Sequence, residues 1–128
     1  MRLLLDTHAF LWWITDDPSL SNAARAAIAN GKSQCFLSVA SCWEMAIKSS
    51  IGKLRLTKPV ERFIPEELAA NDFQLLAMDF KHAAKVETLP FHHRDPFDRL
   101  LVAQSLTEKM TLLSADAVLS EYGVKRLW

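Results

Sequence analysis

Glycine and cysteine are scarce in this chain of 128 residues, which has three of the first and two of the second. No glycine precedes a Lys-Ser or Lys-Thr pair, which disfavours a P-loop enzyme and a dinucleotide-binding fold. Cys35 and Cys42 have no partners at zinc-ligand spacing and make no disulfide framework. We expect both to be small buried residues in a reducing compartment.

The chain also lacks a long apolar run and an excess of charge of one sign. The longest candidate run, residues 9–14, is far shorter than the roughly 18–20 residues of a membrane span. Asp6 ends the first apolar run before a signal-peptide core can form. The 15 basic and 15 acidic residues cancel, unlike the balance of a strongly basic DNA-binding module. We therefore expect a soluble, cytoplasmic protein.

Half of the residues are hydrophobic, and short apolar runs alternate with helical patterns. We predict one domain, 1–128, with strands near 3–5, 35–37, 73–78, 111–114 and 124–126. Helices are predicted near 10–14, 22–30, 43–47, 60–68, 80–88, 96–109 and 115–121, with Gly31 at positive φ after the second and Pro65 splitting or restarting the fourth. This order predicts an α/β fold: an α/β/α sandwich with a short parallel sheet of four to five strands.

Acidic side chains follow the ends of the predicted strands. Asp6 follows the first strand, Glu44 lies in the helix after the second, and Asp116 follows the fourth together with Ser114. Asp98 lies in the first turn of a helix. Because ligands of open α/β sheets bind at the carboxyl ends of strands, we expect these carboxylates to converge. Such a cluster requires cations or protonation, and its oxygen atoms select Mg²⁺ or Mn²⁺.

Each carboxylate except Asp6 also has a local structural interpretation. Asp98 suits the positive end of a helix dipole, with Asp95 as the N-cap. Glu44 fits a capping box with Ser41, and Asp116 can cap the helix that follows it. Asp6 is different, since a carboxylate directly after a buried strand needs a polar partner.

Two further sets of residues have open roles. Five basic residues between 48 and 62 face Glu61 alone in that stretch and could hold an anionic polymer: Lys48, Lys53, Arg55, Lys58 and Arg62. His92 and His93 are adjacent, which is not the spacing of a helical metal pair, so we predict a solvated or rim-lining loop. Trp12, Trp13 and Trp43 are predicted to pack in the core or at an interface rather than to stack on bases.

With these residues in hand, the chain resembles the PIN-domain ribonucleases, specifically the VapC-type toxins of bacterial toxin–antitoxin pairs. The likeness covers essentially the whole chain. Four segments in order carry it: LLDTH (4–8), SVASCWEMAIK (38–48), HRDPFDRLL (93–101) and LLSAD (112–116). Four positions match the acidic quartet of the family, and a fifth matches its small hydroxyl position: Asp6, Glu44, Asp98, Asp116 and Ser114.

The resemblance implies a Mg²⁺- or Mn²⁺-dependent endoribonuclease that holds one or two ions. Asp6 and Asp98 would ligate the metal directly, and Asp116 would ligate it or orient it through water. Glu44 would position the attacking water. Ser114 would donate a hydrogen bond to one of these groups. Asp95 does not match the quartet, which favours its interpretation as a helix cap.

The resemblance also implies partners: an RNA substrate, a cognate antitoxin that fills the active-site groove, and a second copy in a homodimer. Six apolar residues could form an interface, although core packing explains them equally well: Leu11, Trp12, Trp13, Ile14, Phe63 and Ile64. Two other functions stay open, a non-catalytic interaction module with this fold and a processing nuclease without an antitoxin.

Overall fold

Strand β1 (Arg2–Leu5) occupies the centre of a five-stranded parallel sheet. The computed structural model describes residues 1–128, and its strand order is β3-β2-β1-β4-β5. The other strands are β2 (Gln34–Ser38), β3 (Gln74–Leu76), β4 (Thr111–Leu113) and β5 (Arg126–Leu127). The sheet confirms the predicted α/β fold with four to five short parallel strands.

Helices connect the strands and cover both faces of the sheet, as parallel connections require. They are α1 (Thr7–Ile14), α2 (Asn22–Ala29), α3 (Val39–Ser50), α4 (Val60–Asn71), α5 (Phe80–Val86), α6 (Pro96–Glu108) and a 3-10 helix (Ala117–Tyr122).

Alternate residues of β1 enter two separate hydrophobic cores. Leu3 and Leu5 pack in one cluster with Phe10 of α1 and Ile64 of α4. Leu4 packs in the other, which contains residues of α6, β4 and the 3-10 helix. Because side chains of a strand point to opposite faces in turn, an unbroken apolar run is what a strand covered on both faces needs.

Residue Gly31 does not have the predicted positive φ; among the glycines, Gly52 and Gly123 do. Helix α2 ends at Ala29, and Asn30 has an extended backbone. The Asn30 side chain accepts a hydrogen bond from the backbone N–H of Lys32 at 2.9 Å. This side-chain turn replaces the left-handed residue that the prediction required.

Residue Pro65 does not split α4, which runs through it without interruption. Proline removes one backbone donor, so the carbonyl of Glu61 loses its usual partner four residues on. Both Pro65 and Glu61 lie on the exposed side of α4, where water can satisfy that carbonyl.

The boundaries of several elements also differ from their predictions. Strand β3 is three residues long rather than the six of 73–78, and β5 begins at Arg126. The last helix is a 3-10 helix that starts at Ala117, because the Asp116 side chain caps it through the backbone N–H of Val118. The ends of elements this short depend on tertiary packing rather than on local sequence signals.

The residues proposed for an interface fall into a buried group and a half-buried group. Phe63 and Ile64 are 6% and 5% exposed and belong to the core, so their assignment to an interface is wrong. Four residues of α1 are half-buried against that core: Leu11, Trp12, Trp13 and Ile14. Trp43 is 57% exposed and contacts Phe97 edge-on, so it lies outside the core, and of its two predicted roles only the interface stays a prediction.

The two cysteines are free thiols, as predicted. Cys35 is buried as predicted, whereas Cys42 is only half-buried, contrary to prediction; burial raises the pKa of both thiols to about 11. No helix has both the length and the apolar character that crossing a bilayer demands.

Candidate metal centre

The candidate site lies where the chain reverses its direction of winding across the sheet. Strands β1 and β4 are neighbours, but the connections after them lead to opposite edges of the sheet. The crevice outside their carboxyl ends is the usual ligand site of such folds. Asp6 directly follows β1 and Ser114 directly follows β4, and the Asp6 N–H donates to the Leu113 carbonyl at 3.0 Å.

Residue Asp6 is a buried carboxylate at the start of α1. Its Oδ1 accepts a hydrogen bond from the backbone N–H of Ala9 at 2.8 Å, which caps the helix. Burial raises the pKa of Asp6, whereas hydrogen bonds from the Ser114 side chain and from Ala9 oppose the increase. Burial therefore disfavours the ionised form of Asp6, and a nearby cation would stabilise it.

The carboxylate of Glu44 is 6% exposed and has both oxygens engaged. The Thr7 hydroxyl donates to Oε1 at 2.5 Å, and the Lys48 ammonium lies 2.7 Å from Oε2. The predicted capping box with Ser41 is wrong. Helix α3 begins earlier, and its cap is Ser38, whose hydroxyl accepts from the N–H of Ala40 at 3.0 Å. Glu44 is thus not used as a helix cap, and its side chain can face the site.

The carboxylate of Asp98 lies in the first turn of α6, beside the other acidic groups. Burial, followed by the charges of Asp95 and Asp6, raises the pKa of Asp98 to about 7. Asp95 caps α6 as predicted, because its Oδ1 accepts from the N–H groups of Phe97 and Asp98. Asp95 is therefore structural, yet its charge adds to the negative potential at Asp98.

Residues Ser114 and Asp116 form a turn after β4. The buried Ser114 hydroxyl accepts from the Asp116 N–H at 3.1 Å and hydrogen-bonds Asp6. Oδ1 of Asp116 caps the 3-10 helix, so the local interpretation of this residue is correct. Its other oxygen, Oδ2, lies 2.8 Å from Nε2 of His93. Asp116 therefore caps the 3-10 helix with Oδ1, and its Oδ2 faces the site.

Sequence reasoning did not find the contacts of His93. Its Nε2 also lies 3.4 Å from Oδ2 of Asp98, so the ring lies beside two carboxylates, which agrees with the rim-lining alternative and not with a solvated loop. His92 instead contacts Glu121 and Tyr122 at the surface. The signal in the sequence is position: His93 lies five residues before Asp98, in the loop that leads into α6.

The donor set fits a hard divalent cation. Carboxylate oxygens of Asp98 and Asp116 lie within 4.8 Å of each other and of a ring nitrogen of His93, and Asp6 is close enough to raise the pKa of Asp98. Burial disfavours the ionised forms of Asp6 and Asp98, and a bound Mg²⁺ or Mn²⁺ ion would stabilise those forms. The largest cavity, of about 610 Å³, has no carboxylate in its lining and includes Arg2, Lys109 and Lys125, so it does not suit a cation.

A smaller cavity of about 420 Å³ adjoins the site and has a basic lining: Thr7, His8, Leu11, Lys48, Lys53 and Leu54. The basic stretch is less free than predicted, since Lys58 and Arg62 both pair with Glu66 outside it. Lys53 and Arg55 are exposed and form no ion pair. Of these two residues, Lys53 lines the cavity.

The chain belongs to the PIN domain family, whose model matches residues 3–125. Among characterised relatives it is similar to ribonuclease VapC16 of Mycobacterium tuberculosis, with 32% identity over 63 residues. That match spans 49% of this chain and 45% of the relative, so the chain covers about half the length of VapC16.

Two solved structures show the same fold at low identity. VapBC2 from Rickettsia felis, bound to a DNA fragment from its promoter, superposes with a TM-score of 0.73 at 12% identity and covers 99% of this chain and 98% of its own. A toxin–antitoxin complex from Klebsiella pneumoniae gives a TM-score of 0.58 at 16% identity, with 89% and 86% covered. The likeness extends along nearly the whole sheet and its helices.

Proposed function

We propose that this chain is a divalent-metal-dependent endoribonuclease and the toxin of a toxin–antitoxin pair. The observation that carries the proposal is a group of carboxylates in mutual reach: oxygens of Asp98 and Asp116 lie within 4.8 Å of each other, and the charges of Asp6 and Glu44 raise the pKa of Asp98. The similarity to a ribonuclease over half of the chain supports this activity. An intact acidic centre favours an enzyme over the alternative, a non-catalytic module.

Four carboxylates would hold one or two ions in this proposal. Asp6 and Asp98 are the direct ligands, since their pKa values are raised and a cation relieves that cost. Asp116 contributes Oδ2, directly or through water. The chemistry that Mg²⁺ or Mn²⁺ supplies when bound is Lewis acidity, which lowers the pKa of water and stabilises charge on the departing oxygen.

The remaining groups orient the reactants. Glu44, fixed by Thr7 and Lys48, accepts a hydrogen bond from the attacking water and sets its direction toward the phosphorus. Ser114 holds Asp6 and the Asp116 backbone in one arrangement. No side chain forms a covalent intermediate, because water is the nucleophile of the hydrolysis.

The RNA backbone would pass along the basic cavity beside the centre. Lys48 and Lys53 line it, so they attract phosphates flanking the scissile bond. RNA is the proposed substrate, and we expect the protein to act in the cytoplasm, where RNA is made and translated.

Two protein partners belong to this proposal, a cognate antitoxin and a second copy of the chain. The half-buried residues of α1 remain candidates for an interface, whereas Phe63 and Ile64 do not. Light scattering at micromolar concentration tests the homodimer, and a monomer mass would contradict it. A small protein encoded beside this chain that suppresses its activity would support the antitoxin; a nuclease without such a neighbour would be a processing enzyme.

The decisive experiment is cleavage of a panel of structured and single-stranded RNAs in Mn²⁺, Mg²⁺ or EDTA. Asp98→Asn tests the centre, and Asp72→Asn is the matched control. Asp72 is exposed and has a left-handed backbone, which asparagine also accepts. We expect metal-dependent cleavage by the native chain and Asp72→Asn, and its loss in Asp98→Asn. Equal cleavage by both variants, or cleavage in EDTA, would overturn the proposal.

A further inference from the structure

The imidazole of His93 has its two nitrogens in different hydrogen bonds. The backbone N–H of Asp95 donates to Nδ1 at 3.0 Å, so Nδ1 carries no proton. The ring proton must then be on Nε2. That nitrogen lies 2.8 Å from Oδ2 of Asp116 and 3.4 Å from Oδ2 of Asp98. A single N–H therefore points between two carboxylates of the acidic centre.

The loop that carries His93 is anchored by a buried arginine. Arg99 is 6% exposed and has no carboxylate partner. Instead its guanidinium donates to three carbonyls of that loop region, those of Val86, Leu89 and Pro90, at 2.7 to 3.3 Å. Three donor bonds from a planar, permanently charged group fix the path of this segment.

The Tyr122 hydroxyl connects that anchor to His93 itself. It accepts from Nη1 of Arg99 at 3.1 Å and from the backbone N–H of His93 at 2.8 Å. Both the backbone and the ring of His93 are thus held by independent partners. The His93 side chain has therefore already lost its conformational entropy in the native fold. Its N–H can donate a hydrogen bond without a further entropic cost.

We infer that His93 is a positioning residue that holds Asp98 and Asp116 in the arrangement that binds metal. Its Nε2–H donates to Oδ2 of Asp116 and lies 3.4 Å from Oδ2 of Asp98, so it fixes the spacing of these oxygens and leaves their remaining lone pairs for the cation. The protonated nitrogen cannot itself be a ligand. This role rests on the proposed function, because it concerns the proposed metal centre.

Two substitutions separate the donor from the rest of the ring. The amide nitrogen of glutamine reaches the position of Nε2, so His93→Gln keeps the donor to the carboxylates. The side-chain oxygen of asparagine reaches the position of Nδ1, so His93→Asn keeps the bond from Asp95 but falls short of the carboxylates. His92→Asn is the control, because His92 lies in the same loop and contacts Glu121.

The test is calorimetric titration of the full chain with Mn²⁺, with thermal unfolding of the metal-free variants alongside. We expect His93→Asn to weaken Mn²⁺ affinity by about tenfold or more, and His93→Gln and His92→Asn to stay within about threefold of the native chain. Native affinity in His93→Asn would overturn the inference. An equal loss in His93→Gln would also overturn it, since His93 would then be a direct ligand.

A second measurement is independent of metal and RNA. Long-range ¹H–¹⁵N correlation on the metal-free protein identifies which ring nitrogen is protonated, and we expect Nε2–H; an Nδ1–H ring would overturn the inference. Failure of the proposed function is a different result. It would appear as a native chain that binds no Mn²⁺ or cuts no RNA. Failure of the His93 role alone leaves a native chain that binds Mn²⁺, together with unchanged affinity in His93→Asn, an equal loss in His93→Gln or an Nδ1–H ring.

Discussion

The ammonium group of Lys48 lies 2.7 Å from Oε2 of Glu44, one turn away on α3. Glu44 is almost fully buried, whereas Lys48 is 39% exposed on its side chain. This pair places a positive charge at the edge of an acidic centre, where it neutralises one carboxylate and competes with any cation. It differs from a surface ion pair because one partner has lost its water.

Replacing Lys48 by methionine separates these two effects. We expect Lys48→Met to lower the free energy of unfolding of the metal-free protein by about 1–2 kcal/mol, since a buried carboxylate loses its partner. We expect the same variant to bind Mn²⁺ about threefold more tightly, because the competing charge is gone. Denaturant unfolding and calorimetry measure the two quantities. The control Lys58→Met breaks an exposed pair with Glu66 and should change neither the free energy of unfolding nor the Mn²⁺ affinity. Weaker Mn²⁺ binding by Lys48→Met would contradict this account.

The raised pKa of Asp98 predicts how stability depends on pH. Its pKa is about 7 in the folded chain against an ordinary 3.8, so the folded state holds the proton more tightly. The contribution of Asp98 to the stability of the metal-free protein must then fall as pH rises from about 4 to about 7. The substitution Asp98→Asn removes this loss. We expect the free energy of unfolding of the variant to exceed that of the native chain by about 1–3 kcal/mol at pH 7.5 and to equal it near pH 4.

Thermal unfolding of both proteins across this pH range checks the prediction. Asp72→Asn should follow the native curve throughout. A difference between the native chain and Asp98→Asn that does not grow with pH would show that Asp98 ionises normally in the fold.

The hydroxyl of Tyr122 accepts from both Arg99 and the His93 backbone, so Tyr122→Phe removes two hydrogen bonds at once. We expect a loss of about 1–2 kcal/mol in the free energy of unfolding. We also expect the His93 amide to exchange about tenfold faster with solvent, because its acceptor is missing. Hydrogen exchange measures this, with the Asp6 amide at the sheet centre as an internal reference. Unchanged exchange at His93 would mean that the loop is held by other contacts.

Burial distinguishes two large side chains that sequence patterns treat alike. Phe63 is 6% exposed in the core and Trp43 is 57% exposed. Phe63→Ala should therefore lower the free energy of unfolding by about 3–5 kcal/mol, whereas Trp43→Ala should lower it by less than about 1 kcal/mol. Chemical denaturation compares the two variants, and a large loss in Trp43→Ala would show that this residue is covered in the folded protein.

Local signals in the sequence were sufficient for the architecture and for the positions of Asp6 and Ser114 at the ends of two strands. An unbroken apolar run such as Leu3 to Leu5 belongs to a strand covered on both faces, and a polar residue directly after it must lie at the strand's carboxyl end. Short strands separated by helices can form few arrangements other than a parallel sheet. The positions of Asp6 and Ser114 follow from these rules alone.

Side-chain contacts between distant segments were decided by the tertiary structure. His93 and Asp116 are 23 residues apart and Thr7 and Glu44 are 37 apart, so no periodicity relates them. The sequence determined that Asp6 and Asp116 would follow the carboxyl ends of β1 and β4, because strand direction and residue order are local properties. Only the packing of loops and helices determined which neutral and basic side chains would hold those carboxylates, because such contacts depend on how distant segments meet in the fold.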